Sequence, residues 1–183
     1  IYGLGAINGV GEAAMQSVMQ ARQESGEFID LFDFCQRIDL KKANKRTLEA
    51  LIRAGAFDCI DVHRAQLMQQ LPEAVQAAEQ ARQNREMGMF DLFGDTPDVQ
   101  PQRNTPSVMA WSDEVRLKGE KDTLGLYLTG HPIDVYQDEL KRIVPFKRNA
   151  LTGTKRGSTT VFAGLVVGVQ HFNNRILITL DDG

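Results

Sequence analysis

No apolar run in the chain approaches the roughly 20 residues that a membrane-spanning helix needs, so such a span is excluded. Cysteine is scarce: Cys35 and Cys59 stand 24 residues apart with no CxxC and no Cys/His pairing. Neither a zinc site nor a disulfide framework is indicated, and reduced thiols in a cytoplasmic protein are the default reading. His63, His131 and His171 are isolated from one another and from the cysteines, so each reads as a packing or surface residue. The acids form no pair tied to a nucleophile, and no active site is read from this sequence. An initiator Met, a basic n-region and an apolar h-region are all missing from Ile1-Tyr2-Gly3-Leu4-Gly5, which therefore resembles a piece of something larger.

What is present is an ordinary globular composition, 42% hydrophobic and 25% charged over 183 residues, enough to build one or two small domains. The net charge of -3 excludes bulk binding of polyanions. Positive charge is concentrated instead. Residues 36–53 carry six basic side chains against Asp39 and Glu49, and residues 141–157 carry six basic side chains and no acid.

Helical periodicity dominates most of the chain. Ala14, Met15, Val18 and Met19 form one stripe of a helix over residues 12–22. Asp30 reads as the N-cap of a short helix, and Asn44 as that of another carrying Leu48, Leu51 and Ile52, with Gly55 as its left-handed stop. A further helical stretch over residues 64–85 contains Pro72, which predicts a break after Leu71, and Gly88 closes it. Residues 94–107 hold Pro97, Pro101 and Pro106 with one large aliphatic, Val99, and read as linker. Trp111-Ser112 staples and caps a helix to about residue 122, and Ile133, Tyr136, Leu140 and Ile143 line another. The period then changes to two: Val161 to Val169 and Ile176 to Leu180 are strands joined by a tight turn at Asn173-Asn174. A lone hairpin is marginal in water, so these strands imply a larger sheet or barrel.

Gly3-Leu4-Gly5-Ala6-Ile7-Asn8-Gly9 has GxGxxxG spacing and no preceding strand, which excludes a dinucleotide-binding loop. Ile7-Asn8-Gly9-Val10-Gly11 followed by an amphipathic helix is more informative. Two glycines permit a sharp turn, and the first N–H groups of the helix lack intrahelical partners and can receive a phosphate oxygen. This is the logic of a helix-hairpin-helix element that binds DNA. The alternative is a tight interhelical turn and nothing more, and Glu12 at the helix start opposes an anion. Lys41, Lys42, Lys45 and Arg46 place a cationic cluster at a second helix entrance, where the helix dipole disfavours it; an external phosphate would explain that placement. Met89-Phe90-Asp91-Leu92-Phe93 puts four apolar side chains between a helix stop and the linker. They either fold back on the helices or form a peptide that docks in a partner's apolar pocket.

The blocks from Tyr2 to Glu12, Leu31 to Cys35, Gly55 to Asp58, His63 to Ala65, and Leu124-Gly125-Leu126-Tyr127-Leu128-Thr129-Gly130-His131-Pro132 carry a resemblance. Together they resemble the C-family replicative polymerases of bacteria, the alpha subunits of DNA polymerase III. The resemblance implies a mainly α chain from the region after the fingers. Residues 1–88 would be a tandem helix-hairpin-helix DNA-binding domain, with Asn8, Gly9, Val10, Gly11, Lys41, Lys42, Lys45 and Arg46 on primer-template duplex. Residues 89–93 would be the sliding-clamp peptide, 94–110 a linker, 111–158 a helical connector, and 159–183 a β-hairpin beginning an OB-fold that binds single-stranded DNA. In this family the palm aspartates that hold magnesium lie upstream, so no cofactor, catalytic residue or membrane partner is expected in the segment. Three departures stand out: Asn8 where lysine is common, Met89 where the clamp peptide begins with Gln, and a short turn after Gln170. The alternative is a freestanding helical adaptor using residues 89–93.

Overall fold

The computed structural model describes residues 3–60, 62–86, 108–144, 161, 163–173 and 175–181. It divides into two compact units, residues 1–127 and 128–183.

In the first unit a 3₁₀ turn, Leu4–Ala6, precedes α1 (Glu12–Ser25), α2 (Leu31–Arg37), α3 (Lys45–Arg53), α4 (Arg64–Glu86) and α5 (Asp113–Leu124). The caps lie where the sequence puts them. Asp30 accepts the Asp33 N–H at 2.7 Å while Asp33 accepts the Ile29 N–H at 3.0 Å, and Asn44 accepts the Thr47 N–H at 3.0 Å. Ser112 accepts the Val115 N–H at 3.4 Å. Each satisfies a first-turn donor that the helix itself cannot. α3 ends as expected: Gly55 takes φ +81, its N–H reaches the Ile52 carbonyl at 3.1 Å, and the Ala56 N–H reaches the Leu51 carbonyl at 3.0 Å.

Leu48, Leu51 and Ile52 are fully buried, beside Leu31, Phe34 and Cys35 of α2 and Leu67 and Leu71 of α4. Phe28, Phe34 and Phe57 stack edge to face at 4.7 and 4.9 Å, so the blocks Leu31 to Cys35 and Gly55 to Asp58 each supply an aromatic ring to this core. Burial pushes the Cys35 thiol up to about 12, with help from Asp30, whereas Cys59 is exposed. A thiolate-selective reagent should therefore label Cys59 at pH 8 and leave Cys35 unmodified until the protein unfolds; native labelling of Cys35 would contradict this packing.

Several expectations are corrected. α4 runs unbroken from Arg64 to Glu86 through Pro72. Proline costs roughly 3 kcal/mol in a helix interior, but Pro72 is exposed while Leu67, Leu71, Ala74 and Ala78 bury the opposite side against α2 and α3. Met19 leaves the apolar stripe of α1, at 60% exposure, and Ala21 replaces it in the core. Arg37, counted with the positive cluster, is consumed internally. Its guanidinium donates to Asp33 at 2.9 Å and to the carbonyls of Glu27, Ala21 and Gly26, and lies 4.3 Å from the Phe28 ring centroid. α5, which the sequence groups with the connector, packs on the first unit. There Arg64, nearly buried, donates to the fully buried Glu120 at 2.9 Å, to the Arg53 carbonyl at 3.1 Å and in bidentate fashion to Asp58 at 2.8 and 2.5 Å. The hydrogen bonds to Asp58 first, and then that to Glu120, raise the Arg64 pKa against the effect of burial and keep it charged.

The second unit holds a 3₁₀ turn (Pro132–Tyr136), α6 (Gln137–Ile143), and β1 (Leu165–Phe172) paired antiparallel with β2 (Arg175–Asp181). The single helix expected through Ile133 and Ile143 is thus split. His131 caps the 3₁₀ turn, its Nδ1 accepting the Ile133 N–H at 3.2 Å while Asp134 accepts the His131 N–H at 2.8 Å. The hairpin turns where expected: Phe172 pairs with Arg175 and Asn173 takes φ +40. The strict alternation of β1 does not persist, because the register shifts at Val167, between Val166 and Gly168. Val166, Val169, Phe172, Ile176 and Ile178 remain more than half exposed. Gly88, the linker at 94–107, Met89 to Phe93 and most of the basic run 141–157 lie outside the described residues.

Candidate nucleic-acid interface

The hairpin turn is built on two anchors. Ile7 and Val10 are buried, so the residues between and after them, Asn8, Gly9 and Gly11, are held at the surface. The Val10 N–H closes the turn on the Ile7 carbonyl at 3.1 Å, and Gly9 adopts φ +89, which an L side chain reaches only with strain. A methyl group at Gly9 would meet only the Ala50 Cβ at 3.9 Å, so the glycine is required by its backbone angle rather than by space. Gly11 is the N-cap of α1 and offers no side chain, so the N–H groups of Glu12 and Ala13 have no side-chain cap, although the Glu12 carboxylate stands in the same first turn and opposes an anion there.

The cationic cluster has a similar construction. In Lys41-Lys42-Ala43-Asn44-Lys45-Arg46 the alanine is fully buried and Asn44 caps α3, which leaves Lys41, Lys42, Lys45 and Arg46 exposed. Asp39 shapes the connection from α2 by accepting the Lys42 and Ala43 N–H groups on its carbonyl and the Lys41 N–H on its carboxylate at 3.0 Å. Lys42 Nζ lies 3.8 Å from that carboxylate, a loose exposed pair; no ion pair engages Lys41, Lys45 or Arg46 among the described residues. The first turn of α3 contains no acid, so Lys45 and Arg46 face the positive end of their own helix without local compensation.

These two features are distant in sequence and adjacent in the fold. The Thr47 hydroxyl in the first turn of α3 donates to the Gly9 carbonyl at 3.2 Å. The turn that leads into α1 is therefore held against the first turn of α3, and backbone donors at the one and side-chain cations at the other can each receive a phosphate without reading bases. On the other side of the turn the Asn8 N–H donates to the Thr123 carbonyl of α5 at 2.8 Å. Sequence reasoning missed both threonines. A hydroxyl three residues after an Asn cap was a usable signal for Thr47; Thr123 acts through its carbonyl, which carries no signature.

A family model described as "Helix-hairpin-helix motif" matches residues 1–67. The chain is 45% identical over 190 residues to the DNA polymerase III subunit alpha of Vibrio cholerae, covering 100% of this chain and 16% of that protein. It is 44% identical to the same-named subunit of Pseudomonas aeruginosa, covering 100% of the chain and 17% of the relative. It is also 44% identical to that of Escherichia coli K12, covering 100% of the chain and 16% of the relative. The chain thus spans about one sixth of the length of these relatives and is a segment of the DNA polymerase III alpha family.

Proposed function

We propose that this segment of a DNA polymerase III alpha subunit grips primer-template duplex behind the active site and ties the polymerase to its sliding clamp. The parent enzyme, in this reading, adds deoxynucleotides to a primer 3' end in the cytoplasm, with magnesium held by the palm of the intact subunit. The observation that carries the DNA role is the Thr47–Gly9 hydrogen bond, which joins the uncapped start of α1 to the cationic start of α3. Duplex affinity should fall linearly with salt on logarithmic axes, by about 0.9 in slope per phosphate neutralised, and alike for unrelated sequences. A chain with no salt-dependent duplex affinity would be the adaptor instead.

Residues 159–183 are, in the same reading, the first hairpin of an OB-fold. The exposed apolar side chains on both strands support it, because further strands would cover them and the completed barrel would hold single-stranded DNA. No helix of the described residues is long and apolar enough to cross a membrane.

The tether is Met89-Phe90-Asp91-Leu92-Phe93, with Leu92 and Phe93 as anchors and Met89 in the slot where the family has Gln. Burying each anchor contributes roughly 1.5–3 kcal/mol. Ordering the segment offsets much of this, so an isolated peptide should bind no tighter than micromolar, about -8 kcal/mol. Polymerase and clamp share one DNA, which makes that weak contact effectively intramolecular. Leu92→Ala with Phe93→Ala should abolish clamp binding and leave the fold and duplex affinity unchanged. Normal clamp binding by this double variant, or loss of the helical fold, would place the tether elsewhere.

A further inference from the structure

Within the hairpin turn itself the Val10 N–H bonds the Ile7 carbonyl at 3.1 Å, and the rest of its backbone is steadied from outside. Two of its three central residues are glycines, Gly9 sits at φ +89, and only Ile7 and Val10 anchor it in the core. Two hydrogen bonds hold it from opposite sides. One runs from the Asn8 N–H to the Thr123 carbonyl of α5 at 2.8 Å, the other from the Thr47 hydroxyl of α3 to the Gly9 carbonyl at 3.2 Å.

Neither threonine is available to a ligand. Thr47 is 4% exposed and Thr123 is 7% exposed, and the Thr123 hydroxyl is turned back on the Gly119 carbonyl at 2.6 Å. The Thr47 hydroxyl also lies 3.3 Å from Asn44 Oδ1, but that oxygen already accepts the Thr47 N–H as the α3 cap, whereas the Gly9 carbonyl accepts from no other backbone N–H outside regular helices and strands among the described residues. A buried hydroxyl directed at a carbonyl in a surface turn fixes the position of that turn against its own helix.

We propose that Thr47 and Thr123 are positioning residues for phosphate binding. They set the uncapped N–H groups of Glu12 and Ala13 at a fixed place relative to Lys45 and Arg46, so that one strand of a duplex engages both. α5 is made part of the DNA grip in this way, although none of its side chains needs to reach the DNA. Its own seat includes the Arg64–Glu120 ion pair and the buried Leu117, so the grip depends on a helix that follows residues 87–112 in the chain. Loosening either bond leaves the turn to be ordered at the moment of binding, which costs affinity by loss of preorganisation.

This inference rests on the duplex-binding reading, and the experiment separates the two. Affinity of the whole chain for a short duplex is measured over a range of salt for wild type, Thr47→Val and Thr47→Ser. Thr47→Val keeps the shape and loses the hydroxyl; Thr47→Ser keeps the hydroxyl. A merely structural role would lower the folded fraction and reduce binding only in that proportion. The positioning role predicts that Thr47→Val, corrected for its folded fraction by circular dichroism, binds the duplex roughly two- to tenfold more weakly than wild type at every salt concentration, with the wild-type slope, and that Thr47→Ser recovers the affinity. If circular dichroism shows Thr47→Val unfolded, Asn8→Pro, which removes the N–H to Thr123, is compared with Asn8→Ala, which keeps it, and the same loss of affinity is expected. Equal affinity of folded wild type and Thr47→Val, or of folded Asn8→Pro and Asn8→Ala, overturns the positioning role alone. A wild-type chain without salt dependence overturns the duplex reading as well.

Discussion

Arg64→Met should destabilise the helical unit by about 3–5 kcal/mol, the range for removing one partner of a buried ion pair. Glu120 is fully buried and takes a 2.9 Å hydrogen bond from this guanidinium, so the substitution leaves its carboxylate without that countercharge. Glu120→Ala should cost less, because Arg64 keeps its bidentate bond to Asp58, which is itself half-exposed. Arg64→Met combined with Glu120→Leu should recover most of the loss, since a well-packed apolar pair can match a buried ionic one. Gly55→Ala tests the same network from the backbone side: φ is +81 there and an added methyl collides with the guanidinium and the Asp58 carboxylate. Urea unfolding followed by circular dichroism measures all four. A loss below about 1 kcal/mol for Arg64→Met would mean that α5 is not fastened as described.

The sequence reveals features whose cause is local. Asp30, Asn44 and Ser112 were legible as caps because a short acceptor before an apolar period satisfies first-turn N–H groups whatever the tertiary context. Gly55 and the turn at Asn173 were legible because few residues adopt their backbone angles. What stayed hidden is tertiary. Pro72 breaks a helix by local rules, yet α4 continues because its far side is buried in the core. Arg37 and Lys41 look alike in a charge count, although one guanidinium binds three carbonyls inside the fold and the other side chain is solvated. The docking of α5 includes an ion pair between positions 56 residues apart, which no periodicity reveals. Of the candidate site, the turn and the cations were readable as separate features; their adjacency was not, because it rests on a hydroxyl–carbonyl contact across 38 residues.

The exposed cations at the start of α3 oppose their own helix dipole, so stability and binding should respond to their removal in opposite directions. Lys45 and Arg46 each sit where a positive charge costs about 0.3–1 kcal/mol, and Ala propagates a helix better than either. All four basic residues are exposed and the Asn44 cap is untouched, so Lys41→Ala, Lys42→Ala, Lys45→Ala and Arg46→Ala together should leave the fold intact and the chain no less stable. The deciding measurement is the salt dependence of duplex affinity in this quadruple variant beside wild type. The account predicts a slope of log affinity against log salt smaller by up to about 3.6 for four lost phosphate contacts, for every duplex sequence alike. An unchanged slope in a folded variant would contradict it and remove this surface from the DNA.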